Sequence, residues 1–541
     1  MKQSILFALF STLILVSTSL ATDDLLVSVL ATTDLHGALM PYDYGRGVEV
    51  PEIGLVKLAS LVKARRRLDP HAILIDVGDT YQGNPMVHLA NKDETLVDHP
   101  LVSAMNAMAY DVFVPGNHDF DYGLALLKRL KKQARFAFVA ANAIDVKTKK
   151  PRWESYVIKE VNGVRIGIIG LSSPGIPGWL PKDNWKGLQF DGSIETVSRL
   201  MPKLRGQERC DIIVVAFHGG PTNRHNDGDP SINNGYELAR KVKGIDLLLL
   251  GHTHQVVSAE QVGNTMIMQA GSYSHTLAEV RFRLKPYGDG YRVVRKSGRI
   301  FHNGANIPAD DEVESLVRSY HEETVALMNT HLATVNKPMA LAEAAYKDNE
   351  LMDLIQQIQL DYTGAQLSVC SVFDPYVTIE GGVTLRHLFK LYPYENDLYA
   401  VEMTGKQIKL FLENAARAYK YENGQIGIAD KFPLFNLDQL HGLSYRVDPR
   451  RPEGQRVLDL KENGRAVSDR KKYTVAMNSY RAGGTGGYDV VRGIPIIKKS
   501  DISVRDIIAQ WLKKNGHVLV KKDNNWQIQK GAKDRFIPLV K

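Results

Sequence analysis

The sequence predicts an α/β protein in two parts, a domain built on near-continuous apolar strands followed by a separate α+β domain. Two observations carry that expectation. Between Leu25 and about Gly271, short apolar runs rich in β-branched residues recur, and each ends abruptly in polar residues. Beyond Pro338 the pattern changes to a helix-like stretch, Asn349–Tyr362, then strands and a further helix over Gly405–Tyr419.

The runs of the first part are Leu26–Leu30, Ala72–Val77, Val112–Pro115, Arg165–Leu171, Ile212–Phe217, Ile245–Leu250 and Thr265–Gln269. Strands apolar on both faces suit sheets covered by helices. Alternation over Glu279–Leu284 and Tyr291–Arg295 predicts an antiparallel extension, and Asp310 to about Leu332 reads as a polar helix. The Pro338 region is the expected boundary, giving domains over 22–335 and 336–541.

Residues 1–21 read as a secretory signal peptide. Lys2 supplies a positive start, Ile5–Val16 an apolar core broken only by Ser11 and Thr12, and Ser19-Leu20-Ala21 a small-residue cleavage site. The core is too short to span a membrane comfortably, and no later run of about 18 apolar residues exists. The sequence therefore predicts an exported protein, periplasmic or secreted, without a membrane span in its mature form. Of 541 residues, 44% are hydrophobic and 24% charged, which argues for a folded protein and against disorder. Cys210 and Cys370 are the only cysteines, too few for a disulfide scaffold, and two buried free thiols are the expectation. The net charge of +8 is dispersed, compatible with anionic substrates and not with a duplex-binding groove. The oligomeric state is left open, a monomer being compatible with the sequence.

Five segments follow directly on apolar runs: Asp34-Leu35-His36, Gly78-Asp79, Gly116-Asn117-His118-Asp119, His218-Gly219-Gly220 and Gly251-His252-Thr253-His254. Chemistry in open α/β sheets collects at the carboxyl ends of strands. Hard oxygen and borderline nitrogen donors together suit Zn, Mn or Fe, and the neighbouring glycines let the backbone turn and approach a ligand closely. One histidine at a strand end is usually structural; five such segments point to a metal site.

In this order, the segments resemble those of the calcineurin-like metallophosphoesterases. The whole chain is similar to their bacterial 5′-nucleotidase and 2′,3′-cyclic-nucleotide phosphodiesterase branch. That resemblance implies a four-layer α/β/β/α first domain and a second domain that binds nucleotide. It implies two divalent ions (Zn, Mn, Co or Fe), one held by Asp34, His36, Asp79 and His254. The other would be held by Asp79, Asn117, His218 and His252, with Asp79 bridging, since an imidazole nitrogen cannot serve two ions. His118 and Asp121 match the family's catalytic pair, though Asp121 also reads as a turn residue before Gly123. In the second domain, Phe435 and Tyr480 match two aromatics that sandwich the base, and Arg481 is a candidate for reaching the nucleotide or for plain exposure.

One segment departs from the pattern. Where the 5′-nucleotidases carry a glycine-rich stretch ending in arginine, this chain reads Ser371-Val372-Phe373-Asp374-Pro375-Tyr376. Leu391-Tyr392-Pro393-Tyr394-Glu395-Asn396 and Tyr480-Arg481-Ala482-Gly483-Gly484 look closer to the cyclic-phosphodiesterase/3′-nucleotidase subgroup. The expected activity is opening of 2′,3′-cyclic nucleotides followed by removal of the 3′-phosphate. The alternatives are a 5′-nucleotidase or UDP-sugar hydrolase, more remotely a thiosulfate-ester hydrolase, and, outside enzymes, a non-catalytic nucleotide-binding or adhesion protein.

Overall fold

In the first domain each strand sends alternate side chains to opposite faces, and that alternation builds the layers. The structure, a computed structural model, describes residues 24–222, 231–430 and 432–539, so the signal-peptide expectation lies outside the described residues. Strand Leu25–Thr32 turns Val27, Val29 and Ala31 to one side and Leu30 to the other. Ile212–Phe217 divides likewise, with Ile212, Val214 and Ala216 facing Val27 and its neighbours, and Ile213, Val215 and Phe217 facing away. The inner faces meet as one apolar core between two six-stranded sheets.

The first sheet runs Gly290–His302, Thr276–Tyr287, Leu25–Thr32, Ile73–Asp76, Val112–Phe113, Ala137–Phe138. The second runs Val256–Val262, Thr265–Ala270, Leu247–Leu250, Ile212–Phe217, Val164–Leu171, Tyr156–Val161. Helices Leu55–Arg66, Pro85–Lys92, Pro100–Ala107, Gly123–Gln133 and Asp311–Met328 cover the outer face of the first sheet. Ser193–Pro202 and Gly235–Lys241 cover that of the second. The result is the expected four-layer α/β/β/α arrangement, with central strands parallel and an antiparallel extension over Thr276–His302.

The chain enters the second domain earlier than the expected 335/336 boundary. Strand His331–Val335 pairs with Gly382–Thr384 and His517–Val518, and its apolar side chains join that domain's core. Hydrogen bonding outweighs the proline signal, and we place the division near Asn329. Beyond it, a five-stranded sheet orders Asp438–His441, Leu367–Ser371, Lys472–Asn478, Asp397–Thr404 and Ile496–Ser503. Helices Glu350–Thr363 and Val504–Asn515 pack on one face and Gly405–Ala416 on the other. Cys210 and Cys370 are free, buried and in different domains.

Candidate metal centre

All five motif segments leave the carboxyl ends of parallel strands, so they converge where the two sheets of the first domain open together. The turns are tight enough to strain the backbone. Asp34, His36, Asp79, His252 and His254 have φ of 50°, 45°, 55°, 69° and 54°. For residues with a Cβ the left-handed region costs about 1–2 kcal/mol each, and such strain collects at functional sites. Two glycines are required by closeness rather than by φ. A Cβ on Gly116 would lie 2.3 Å from Asp79 Oδ1, and one on Gly251 would lie 3.0 Å from His218 Nδ1.

The donors form two groups. Atoms of Asp34, His36 and His254 lie within 4.8 Å of one another, and so do those of Asp79, His218 and His252. The Nε2 atoms of His36 and His254 are 3.0 Å apart, and His254 Nε2 is 3.5 Å from Asp34 Oδ1. In the second group His218 Nε2 is 3.1 Å from Asp79 Oδ2 and 3.2 Å from Asn117 Oδ1. The seven residues singled out in the sequence as ligands thus share one site.

The donor set fits divalent cations. His36 Nδ1 lies 3.0 Å from the Gln82 carbonyl and His218 Nδ1 lies 2.6 Å from that of Val77. A carbonyl can only accept, so each Nδ1 carries a proton and each Nε2 is left to face the site, the usual support of a ligating histidine. Burial holds His36 and His252 down near 3 and His254 near 4, which keeps them in the neutral, ligating form. The same burial pushes the Asp34 carboxyl up to about 8. Burial works downward on His218, but the Asp79 charge outweighs it and lifts the ring to about 10, and a cation between them would take the place of that proton.

His118 and Asp121 meet beside this centre, with His118 Nδ1 2.9 Å from Asp121 Oδ2. Burial disfavours a charged His118, yet Asp121 and Asp79 together lift it to about 9. The Asp121 carboxylate is therefore more than a turn residue. Asp119, quoted in the same motif, turns away and organises the loops. Its oxygens accept the N–H groups of Asp79, Thr80, Tyr81 and Gly116 at 2.7–2.9 Å.

In the second domain Phe435 and Tyr480 are brought together with ring centroids 6.3 Å apart, at 80° rather than parallel. A base entering between them requires one ring to turn. Arg481 is buried, which corrects the reading of plain exposure. It is 1% exposed, paired with Asp438 at 2.6 Å, and donates to the carbonyls of Thr485 and Phe435 at 2.6 and 2.9 Å. The guanidinium lies beneath the aromatic pair and ties their two loops together.

Three further aromatics lead away from the centre. Trp179 stacks on His252 at 4.9 Å and 20°, and Tyr273 lies 5.0 Å from His36. Tyr394 of the second domain, 6.2 Å from Phe435, neighbours both Tyr273 and Tyr480. An aromatic wall thus runs from the candidate metal donors to the Phe435–Tyr480 pair.

Residues 27–256 match the family model of the calcineurin-like phosphoesterase, and residues 329–493 that of the 5′-nucleotidase C-terminal domain. The likeness to the calcineurin-like phosphoesterases is one of the first domain, beside that of the second to the 5′-nucleotidases. The former are hydrolases acting on phosphoric esters, and they use a dimetal centre. Among similar proteins, the 2′,3′-cyclic-nucleotide 2′-phosphodiesterase/3′-nucleotidase of Salmonella typhimurium is 28% identical over 96% of this phosphoesterase and 91% of its own length. The trifunctional nucleotide phosphoesterase protein YfkN of Bacillus subtilis is 27% identical over 93% of the chain, which spans only 39% of that larger protein. A solved structure from Staphylococcus aureus, provisionally named a 5′-nucleotidase, shares the two-domain fold with a TM-score of 0.83 at 24% identity, covering 93% of this chain and all of that one. No helix among the described residues is long and apolar enough to cross a membrane.

Proposed function

We propose that this phosphoesterase is an exported nucleotide hydrolase that opens 2′,3′-cyclic nucleotides by adding water across the 2′-ester bond and then releases the 3′-phosphate. The observation that carries the proposal is the placing of the two donor groups and the His118–Asp121 pair at one end of an aromatic wall whose other end is Phe435 and Tyr480. Asp34, His36 and His254 would hold one ion, Asn117, His218 and His252 the other, and Asp79 both. Bound there, two divalent ions would supply an activated water and neutralise charge on the attacked phosphate.

The chain's own residues do the rest. His118, charged because Asp121 holds its Nδ1 proton, presents Nε2–H to the phosphate or to the departing ribose oxygen. Asp121 orients the ring and favours the imidazolium. Phe435 and Tyr480 grip the base by its faces, worth about 1–3 kcal/mol per base and tolerant of any base. Ser371–Tyr376 contains no arginine to steer a nucleotide toward 5′-ester attack, and the Salmonella relative bears the cyclic-phosphodiesterase name; both favour the cyclic and 3′-esters.

The test is phosphate release by the purified protein from 2′,3′-cyclic, 3′- and 5′-nucleotides and a UDP-sugar, each with Mn, Zn or Co. Higher kcat/KM on cyclic and 3′-esters is expected, for all four bases. A preference for 5′-monophosphates or the UDP-sugar would make the 5′-nucleotidase reading correct, and binding without phosphate release would make the protein a non-catalytic binder.

A further inference from the structure

Arg505 belongs to helix Val504–Asn515 of the second domain and is 2% exposed. A guanidinium withdrawn from water must find partners for its donors. Arg505 finds them where the two domains meet. It pairs with Glu395, donates to the Tyr392 carbonyl at 3.1 Å, and lies 4.0 Å from the Phe389 ring. Its Nη2 is also 3.2 Å from Nδ1 of His88, which sits on helix Pro85–Lys92 of the first domain. His88 Nδ1 is in turn 2.9 Å from Glu395 and 2.9 Å from the Tyr122 hydroxyl. Burial and the Arg505 charge hold His88 well below its usual range, so the ring is neutral and the charges of Arg505 and Glu395 balance.

Tyr122 directly follows Asp121. The segment His118–Tyr122 contains one short 3-10 turn and leads into helix Gly123–Gln133, so beyond that tether its position is set by side-chain anchors. On the other flank the Asp121 carbonyl accepts Asn184 Nδ2 at 2.8 Å, and neighbouring Asp183 meets Lys499 of the second domain at 3.1 Å. That second contact is exposed, and such pairs contribute little. The buried link is the one able to fix geometry.

We propose that Glu395 and Arg505 are positioning residues for the His118–Asp121 pair, acting across the domain boundary through His88 and Tyr122. The second domain then contributes to the chemical step as well as to gripping the base. The proposal rests on the roles given above to His118 and Asp121. Its physical ground is that displacing a catalytic group by about 1 Å can cost on the order of 10²-fold in rate.

The test uses the full-length protein, metal content by elemental analysis, and a small aryl phosphate that carries no base. Glu395→Gln and Tyr122→Phe should each lower kcat about tenfold, with bound metal and KM unchanged. Arg505→Lys should retain more kcat than Arg505→Met, and Lys499→Met should leave kcat alone. Should Glu395→Gln fail to fold, the Glu395→Leu/Arg505→Met pair removes both charges together and should show the same loss of kcat. Folded, metal-loaded Tyr122→Phe and Glu395→Leu/Arg505→Met proteins with kcat within twofold of wild type would overturn the proposal. Full activity of His118→Ala would instead overturn the catalytic assignment beneath it.

Discussion

Asp79 Oδ1 accepts the backbone N–H of His118 at 2.7 Å. The carboxylate proposed to bridge two metals therefore also fixes the start of the turn that carries the proposed acid. Metal binding and proton delivery are mechanically linked through one side chain, and the variants at these two positions should separate them only in part.

Asp79→Asn should lower metal content and abolish hydrolysis, because the amide keeps the shape of the carboxylate but loses the charge that bridging needs. Elemental analysis alongside a phosphate-release assay checks both halves. Full occupancy with normal turnover would remove Asp79 from the centre.

His118→Ala should keep both ions and lose about 10²–10⁴-fold in kcat, the usual worth of a positioned proton donor. The His118 ring is not among the two donor groups, so its removal leaves the ligands in place. A kcat within a few-fold of wild type would make the residue structural.

Phe435→Ala and Tyr480→Ala should each raise KM for nucleotides while hardly altering hydrolysis of a small aryl phosphate, which does not use the pair. Equal losses on both substrates would show that the aromatics support the fold rather than the base.

Arg481→Met leaves Asp438, 2% exposed at its side chain, without its partner. Breaking a buried pair from one side costs about 3–5 kcal/mol, and the denaturant midpoint of the variant should fall accordingly. A variant of unchanged stability that fails only in nucleotide binding would return Arg481 to the substrate.

His441 lies 3.7 Å from Asp353 and 3.0 Å from Asp523, with Asp348 beside both carboxylates. Asp353 and Asp523 hold its proton, raising the ring to about 9. A raised folded-state value stabilises fully below the unfolded value of about 6.5 and loses that contribution as pH climbs through 9. Stability should therefore decline between these limits, and His441→Gln should flatten the decline. Denaturant midpoints measured from pH 6 to 10 decide it; parallel curves for the two proteins would rule the cluster out as the cause.

The parts of the centre legible in the sequence are those encoded locally. Asp34-Leu35-His36 and Gly251-His252-Thr253-His254 could be read because strand ends, glycines and donor residues stand within a few positions of each other. The pairing of His118 with Asp121 came only from the family resemblance, since Asp121 by itself reads as a turn residue before Gly123. Trp179 and Tyr273 gave no such signal, since each is an ordinary aromatic until the fold sets it against a histidine of the centre; Tyr394 stood in the quoted segment Leu391–Asn396, but its place beside Phe435 did not show there. Asp119 stands in the same motif as His118 with no role legible along the chain, and its four backbone N–H partners reveal a residue that shapes the loops.

Apolar runs by themselves determined that this chain makes two-sided strands, and the polar residues at their ends determined what chemistry would gather there, because both depend on neighbours along the chain. The tertiary structure decided which carboxylate meets which imidazole, that Arg481 lies beneath the aromatics instead of outside them, and that Arg505 and Glu395 of the second domain reach His88 of the first. Those outcomes turn on burial and on contacts between residues as much as 417 positions apart. Desolvation is paid or offset only once the layers have packed, and that reckoning has no local trace in the sequence.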